Sequence, residues 1–360
     1  MFCRSAMGLR GLIGRVQDSI GVPEVFPERC VHAHIEIASC SRCVDACPRD
    51  AWTLDDEALA IDAACCDGCG LCVGACPEGA LSLPLEPELR SANRTLVGFV
   101  CCEHSRVELT DKEAATRVPC VHAFGFDRLA AWYEKGVRRL ALSRGECAQC
   151  PRGGAETIDT RVEALNRVLR GRDAEPMKVA VIDGEHWLGF LRATGPQADA
   201  PDLSRRGFLR GMLQAAENRA VAVPESAWKP PGVRLPQPGT ATVYLYAPQI
   251  DLESCNGCDA CFRVCPQAAL QLESTSEAYT IAAERCTGCG LCVDLCEQDA
   301  VQVIETGAAK TKRVELKTRQ CRVCGVRFHS PAKDTDDDYA RCHVCARTQQ
   351  RRGQLYQVLD

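Results

Sequence analysis

The sequence predicts a multidomain α+β protein. Two short cysteine-dense modules flank a central parallel α/β domain, and a small two-knuckle cysteine module follows. Three observations predict this. Cysteines recur in paired runs of C-x2-C-x2-C-x3-C or close to it, one pair of runs on either side of the middle. Short apolar runs alternate with amphipathic stretches between about 93 and 195, the pattern of strands and helices in a parallel sheet. Two further C-x2-C pairs, separated by a long gap, lie near the end. The predicted boundaries are a lead-in over 1–29, a first cysteine module over 30–88, the α/β domain over 93–195, a basic helix and proline-rich linker over 196–241, a second cysteine module over 242–308 and the terminal knuckles over 314–350.

Composition narrows the chemistry. The chain has 360 residues and 27 cysteines. Those cysteines fall in metal-ligand spacings, in a chain too long to need a disulfide framework, so they point to a reducing, cytoplasmic compartment, with membrane association only through partners. No apolar run is long enough to span a bilayer. Met1 to Ile20 is broken by Arg4, Arg10 and Arg15 and does not read as a signal peptide. Ser204–Arg210 looks like a twin-arginine signal, but it is internal and its continuation to Arg219 carries Gln and Glu, so a basic amphipathic helix is expected. A net charge of −5 gives no support to nucleic-acid binding.

In the lead-in, Met7, Leu9, Leu12, Ile13 and Val16 could share one helical face. The second module holds the clearest motif. Cys255, Cys258, Cys261 and Cys265 are followed by Cys286, Cys289, Cys292 and Cys296 in the same spacing. In such runs three close cysteines hold one iron–sulfur cube and the fourth reaches to the other. Cys255, Cys258, Cys261 and Cys296 are thus expected to hold one [4Fe-4S] cluster, and Cys286, Cys289, Cys292 and Cys265 a second. The motif resembles bacterial two-cluster ferredoxins. Paired zinc sites are the alternative, although these more often use separate C-x2-C pairs.

In the first module, the family's rule assigns Cys66, Cys69, Cys72 and Cys47 to one [4Fe-4S] cluster. The other has Cys40, Cys43 and Cys76, because Ile37 stands where a first cysteine would fall. Cys30 is the leading candidate for its fourth ligand, with His32 and His34 behind it; a three-cysteine [3Fe-4S] centre is the rival. Cys65, beside Cys66, is a bystander in this register. Proline follows Cys47, Cys76 and Cys265, but Glu297 follows Cys296, and its carboxylate is expected to lower that cluster's potential.

In the middle, strands are expected at Leu96–Val100, Val137–Leu142 and Lys178–Asp183, and helices at Phe126–Lys135 and Thr157–Leu169 with Gly171 beyond. Cys101, Cys102, Cys120, Cys147 and Cys150 all follow strands and could converge at one sheet edge. This stretch resembles the delta subunit of methyl-viologen-reducing hydrogenase. The resemblance implies a [2Fe-2S] cluster on Cys102, Cys120, Cys147 and Cys150, with Cys101 as a substitute. A zinc site, or buried cysteines acting as small hydrophobes, are the alternatives. The proline-rich linker is expected to be an extended spacer, and Thr242–Tyr246 to pair with Val301–Ile304.

At the end, Cys321 and Cys324 with Cys342 and Cys345 read as a zinc ribbon, with a single iron as the alternative. His329 and His343 are spare, solvent-facing candidates. No nucleophile elbow, P-loop or G-x-G-x-x-G is present. As a whole the chain resembles polyferredoxin-type electron-transfer subunits. That implies partners among the other subunits of a redox complex, of formate dehydrogenase, hydrogenase or heterodisulfide-reductase type, or a soluble redox carrier. An enzyme with a substrate-binding cluster at Cys40, Cys43 and Cys76, and a redox-sensing regulator that uses the ribbon, are the competing readings.

Overall fold

A computed structural model describes residues 21–54, 59–85, 87–92, 95–109, 116–153, 157–196, 228–237, 243–275, 277–309, 311–332 and 341–357. It is a mixed α/β chain of several small sheets. The helical face over Met7–Val16 and the basic helix near 203–219 lie outside the described residues. The chain divides into two units, Met1–Cys30 with Ser41–Gln237, and Val31–Cys40 with Pro238–Asp360.

The first unit begins with the cysteine module. Its order is β1 (Glu24–Val25), α1 (Arg42–Asp45), β2 (Trp52–Leu54), β3 (Leu59–Ile61), α2 (Leu71–Ala75) and β4 (Leu81–Ser82). β1 pairs antiparallel with β4, and β2 with β3. Elements this short cannot stand alone. They close on a core of Trp52, Cys72 and Leu81, with Cys43, Cys47 and Cys76 packed against it.

The central sheet continues with β5 (Glu88–Ala92), β6 (Thr95–Cys102), β7 (Arg117–Val118), α3 (Phe126–Glu134), β8 (Val137–Ser143), α4 (Ile158–Arg170), β9 (Lys178–Val181), α5 (Gly184–Ala193) and β10 (Gly195–Pro196). The strand order is β10-β5-β6-β8-β9, with β7 beside the end of β6. β6, β7, β8 and β9 run parallel, while β5 and β10 are antiparallel additions. Alternation along β6 puts Val97, Phe99 and Cys101 into one core with Ala141, Trp187 and Leu191. Leu140 and Leu142 are equally buried at the alternate positions of β8, and α3 packs on that strand. Full burial of such a side chain contributes about 1.5–3 kcal/mol. The Thr157 hydroxyl caps α4 by accepting the Thr160 N–H at 3.3 Å, and Gly171 closes the helix.

The linker departs from its expected form where it is described. Pro231–Arg234 is a 3-10 turn packed on α3, not an extended spacer. Arg234 pairs with Glu134 at 2.7 Å, and the buried Arg172 guanidinium donates to the carbonyls of Gly232 and Pro236. Proline at the first turn is compatible with a helix start, so proline density alone did not imply extension.

The second unit repeats the first module's order: β11 (Val243–Ile250), α6 (Ala260–Val264), β12 (Leu270–Leu272), β13 (Ala278–Ile281), α7 (Leu291–Asp294) and β14 (Val301–Ala308). β11 and β14 pair over their full lengths, so Val301–Ile304 lies opposite Ala247–Ile250, not Thr242–Tyr246. β15 (Arg313–Gln320) and β16 (Arg327–Pro331) extend the hairpin of β12 and β13 into one four-stranded sheet. Val314 and Leu316 of β15 enter the core that contains Cys292, so the terminal segment is built into this module. α8 (His343–Gln357) follows.

Candidate metal centres

One local structure recurs at Cys47, Cys76, Cys265 and Cys296. Each is followed four residues later by alanine, and each sulfur accepts that alanine's N–H: Ala51 at 3.4 Å, Ala80 at 3.3 Å, Ala269 at 3.2 Å and Ala300 at 3.2 Å. The residue before the alanine has positive φ in every copy: Asp50, Gly79, Ala268 and Asp299. A non-glycine residue held there costs about 1–3 kcal/mol and is kept where surroundings impose it. An N–H aimed at sulfur favours the thiolate, as an anionic iron–sulfur cage requires. The three-cysteine loops have their own donor: Gly68 N–H reaches Cys66 Sγ at 3.4 Å. Gly68 has φ of 67°, and a Cβ there would lie 2.8 Å from the Gly21 carbonyl oxygen.

The thiols gather as sets. Burial pushes Cys72 up to about 12, and Cys47 and Cys66 are close enough to add to the rise. Burial likewise pushes Cys69 to about 12, with a contribution from Cys72. Cys261 is pushed to about 12 by burial, then by Cys255, Cys258 and Cys296. Cys292 rises through burial and its neighbours Cys286, Cys289 and Cys265. The last four line one pocket with Pro248, Leu270, Leu291 and Val303. Cys43 and Cys76 share the core of the first module. Cys30, at the end of the turn Pro27–Arg29, belongs to that same unit, but Cys40 belongs to the other. His32 donates from Nε2 to the Cys40 carbonyl at 2.8 Å, and Ile37 is 60% exposed.

Asp259 takes the left-handed position that Gly70 and Gly290 take in the sister loops. Its Oδ1 accepts from the Tyr279 hydroxyl at 2.6 Å and faces His329 Nε2 at 2.6 Å. His329 is therefore a half-buried partner of Asp259, not the solvent-facing group expected. Glu297, four residues before β14, pairs with Arg347 at 2.8 Å, which offsets the charge expected to depress its cluster's potential.

In the central sheet, Cys102, Cys120, Cys147 and Cys150 line one cavity of about 1190 Å³. They follow the C-terminal ends of β6, β7 and β8, where open parallel sheets place their sites. Burial pushes Cys120 up to about 11, and Cys102, Cys150 and Cys147 add to it. Cys101 points the other way, into the core, with its Sγ 3.5 Å from the Thr116 hydroxyl. Arg161, 2% exposed, holds the turn after Cys120 by donating to the carbonyls of His122 and Phe124.

His122 is a site residue that the sequence did not reveal. Its Nδ1 accepts the Ile158 N–H at 3.1 Å, which leaves the ring proton on Nε2, and Nε2 lies 3.3 Å from Cys147 Sγ. His122 therefore donates to sulfur. A donor to a ligand thiolate stabilises the reduced, more negative state of a bound centre. His122→Phe should lower the midpoint potential of a centre held there. A donor to a charged group is worth about 1.5–3 kcal/mol. With 59 mV per tenfold change for one electron, partial loss predicts a fall of roughly 50 mV. Redox titration followed by EPR checks it; an unchanged potential at equal iron content removes His122 from the site.

At the terminal knuckles, the sulfurs of Cys321, Cys324, Cys342 and Cys345 all lie within 4.8 Å of one another. Cys324 and Cys342 are 3.8 Å apart, the edge of a tetrahedron with metal–sulfur bonds of about 2.3 Å. The first pair sits in the turn between β15 and β16, and the second at the start of α8 instead of in a second hairpin. The Cys342 N–H donates to Cys321 Sγ at 3.3 Å and, with other backbone donors, holds Cys321 down at about 6. His343 Nδ1 is buried and has no hydrogen-bond partner among the described residues.

Comparison with known families agrees with the two cysteine modules. A 4Fe-4S dicluster domain matches residues 247–297, and a 4Fe-4S binding domain matches residues 59–82. The chain thus carries two ferredoxin-type 4Fe-4S domains, which supports iron–sulfur electron transfer. No curated protein matches the chain. No helix among the described residues is long and apolar enough to cross a membrane.

Proposed function

We propose that this protein is an electron-transfer iron–sulfur subunit, polyferredoxin-like in organisation. It relays single electrons through several [4Fe-4S] clusters and a [2Fe-2S] centre in its central domain. The complex served is a cytoplasmic oxidoreductase of formate dehydrogenase, hydrogenase or heterodisulfide-reductase type. The observation that carries this reading is the cavity lined by Cys102, Cys120, Cys147 and Cys150, in the same unit as a ferredoxin-type module.

The donor sets fit the groups assigned to them. Four thiols with backbone donors suit a four-iron cage at Cys66, Cys69, Cys72 and Cys47, at Cys255, Cys258, Cys261 and Cys296, and at Cys286, Cys289, Cys292 and Cys265. Cys43 and Cys76, with Cys30 of the same unit, are assigned to the remaining cluster. The terminal cysteines suit one zinc ion. Bound clusters supply reversible one-electron chemistry. The chain's part is to hold the thiolates, donate to sulfur, exclude water and set spacing.

Anaerobic purification, with iron, acid-labile sulfide and zinc counted and EPR recorded under graded reduction, tests the reading. Full loading corresponds to roughly 18 irons per chain. Co-purification with a catalytic subunit is the expected companion result. Zinc with almost no sulfide overturns the proposal.

A further inference from the structure

Cysteines from two different sites meet in one buried cluster of this molecule. Cys69, of the first module's set, packs with Leu71 and Cys120, of the central set, in one buried cluster. The approach is possible because α2 carries glycine in its last turn: a Cβ on Gly74 would lie 2.6 Å from the Ala123 carbonyl oxygen. Around this cluster a single guanidinium ties the cysteine-bearing loops together. Arg152, two residues after Cys150, donates from Nε to Asp67 Oδ2 at 2.9 Å and from Nη2 to the Asp67 carbonyl at 3.4 Å. Its Nη1 reaches Glu103, beside Cys102, at 3.0 Å and the carbonyl of Pro119, beside Cys120, at 2.7 Å.

Asp67 lies between Cys66 and Cys69, and its Oδ1 accepts the Cys69 N–H at 3.2 Å. The chain from Arg152 through Asp67 to the Cys69 backbone is therefore continuous. The Arg152 side chain is only 11% exposed, so solvent screens this network little.

We infer that the buried cluster of Cys69, Leu71 and Cys120 is the passage by which an electron crosses between the first module and the central site, and that Arg152 is the positioning residue that sets its width. This rests on the reading of Cys102, Cys120, Cys147 and Cys150 as a [2Fe-2S] site. One electron leaves a reduced four-iron cluster held at Cys47, Cys66, Cys69 and Cys72 and reduces an oxidised two-iron centre. No bond is made or broken and no proton moves. Because tunnelling falls exponentially with the gap, two ligands packed in one buried cluster give a short route with no solvent between them.

The test uses the full chain, loaded anaerobically. Spin relaxation of the two-iron EPR signal is measured with the four-iron cluster oxidised and then reduced, and internal electron equilibration is followed after pulse radiolysis. Reduction of the neighbour should speed relaxation of the two-iron signal. Arg152→Gln and Gly74→Leu, at unchanged iron and sulfide, should each slow equilibration severalfold, because tunnelling falls exponentially as the gap widens. Arg152→Lys should recover part of the rate. If Arg152→Gln loses iron, Asp67→Asn, which keeps shape and removes charge, is read in its place. Absence of any two-iron signal overturns the reading of the central site itself. A two-iron signal that ignores its neighbour's state overturns the passage and leaves that reading standing. Unchanged rates in the Arg152, Asp67 and Gly74 variants remove the clamp.

Discussion

Cys72→Ser is expected to cost the protein an entire four-iron cluster, a drop of about four irons and four sulfides per chain. Cys72 is 6% exposed and sits in the module's core with Trp52 and Leu81, so no solvent ligand can take its place without opening that core. The same logic separates two adjacent residues in the central sheet. Cys102→Ser should empty the cavity, whereas Cys101→Ser should leave metal content unchanged because that thiol faces Phe99 and Trp187. Iron and sulfide assays of the purified variants decide both. Equal losses from Cys101→Ser and Cys102→Ser would remove the central assignment.

Removal of the zinc proposed at Cys321, Cys324, Cys342 and Cys345 should have the second large effect. Structural zinc contributes about 10–16 kcal/mol of apparent binding free energy at neutral pH. Its loss, by a strong chelator or by Cys324→Ser, should free the turn between β15 and β16 and the start of α8. Because β15 carries Val314 and Leu316 into the core that holds Cys292, protection of that core against hydrogen exchange should fall too. Affinity should rise with pH. Thiols must lose their protons to bind, and the Cys345 thiol is held above its ordinary range by its thiol neighbours, while backbone donors hold Cys321 below it. A pH-independent affinity, or protection unchanged by chelation, would contradict this.

Cysteine spacing made the two ferredoxin-type 4Fe-4S domains legible because three cysteines of each run lie close together in the chain. Strand and helix positions in the central domain were legible from apolar runs: the strand expected at Leu96–Val100 spans Thr95–Cys102, and the helix expected at Phe126–Lys135 spans Phe126–Glu134. The choice between Cys101 and Cys102 was harder to read, since both faces of β6 are buried and alternation gives no polarity contrast. Arg152 and Asp67 are 85 residues apart, and His329 and Asp259 are 70 apart. Pairings of that range leave no local pattern. His122 was obscure for a related reason: its role depends on an N–H in the first turn of α4, which the chain brings back only on folding.

The repeated cysteine-to-alanine turn has a consequence for how such a chain can evolve. Its grip on sulfur comes from the main chain, and the two positions after the cysteine hold Pro-Arg, Pro-Glu, Pro-Gln and Glu-Gln in the four copies. The side chains at those two positions take no part in that grip. Each cage can thus acquire its own electrostatic surroundings, one substitution at a time, without passing through an ancestor that had lost the cage.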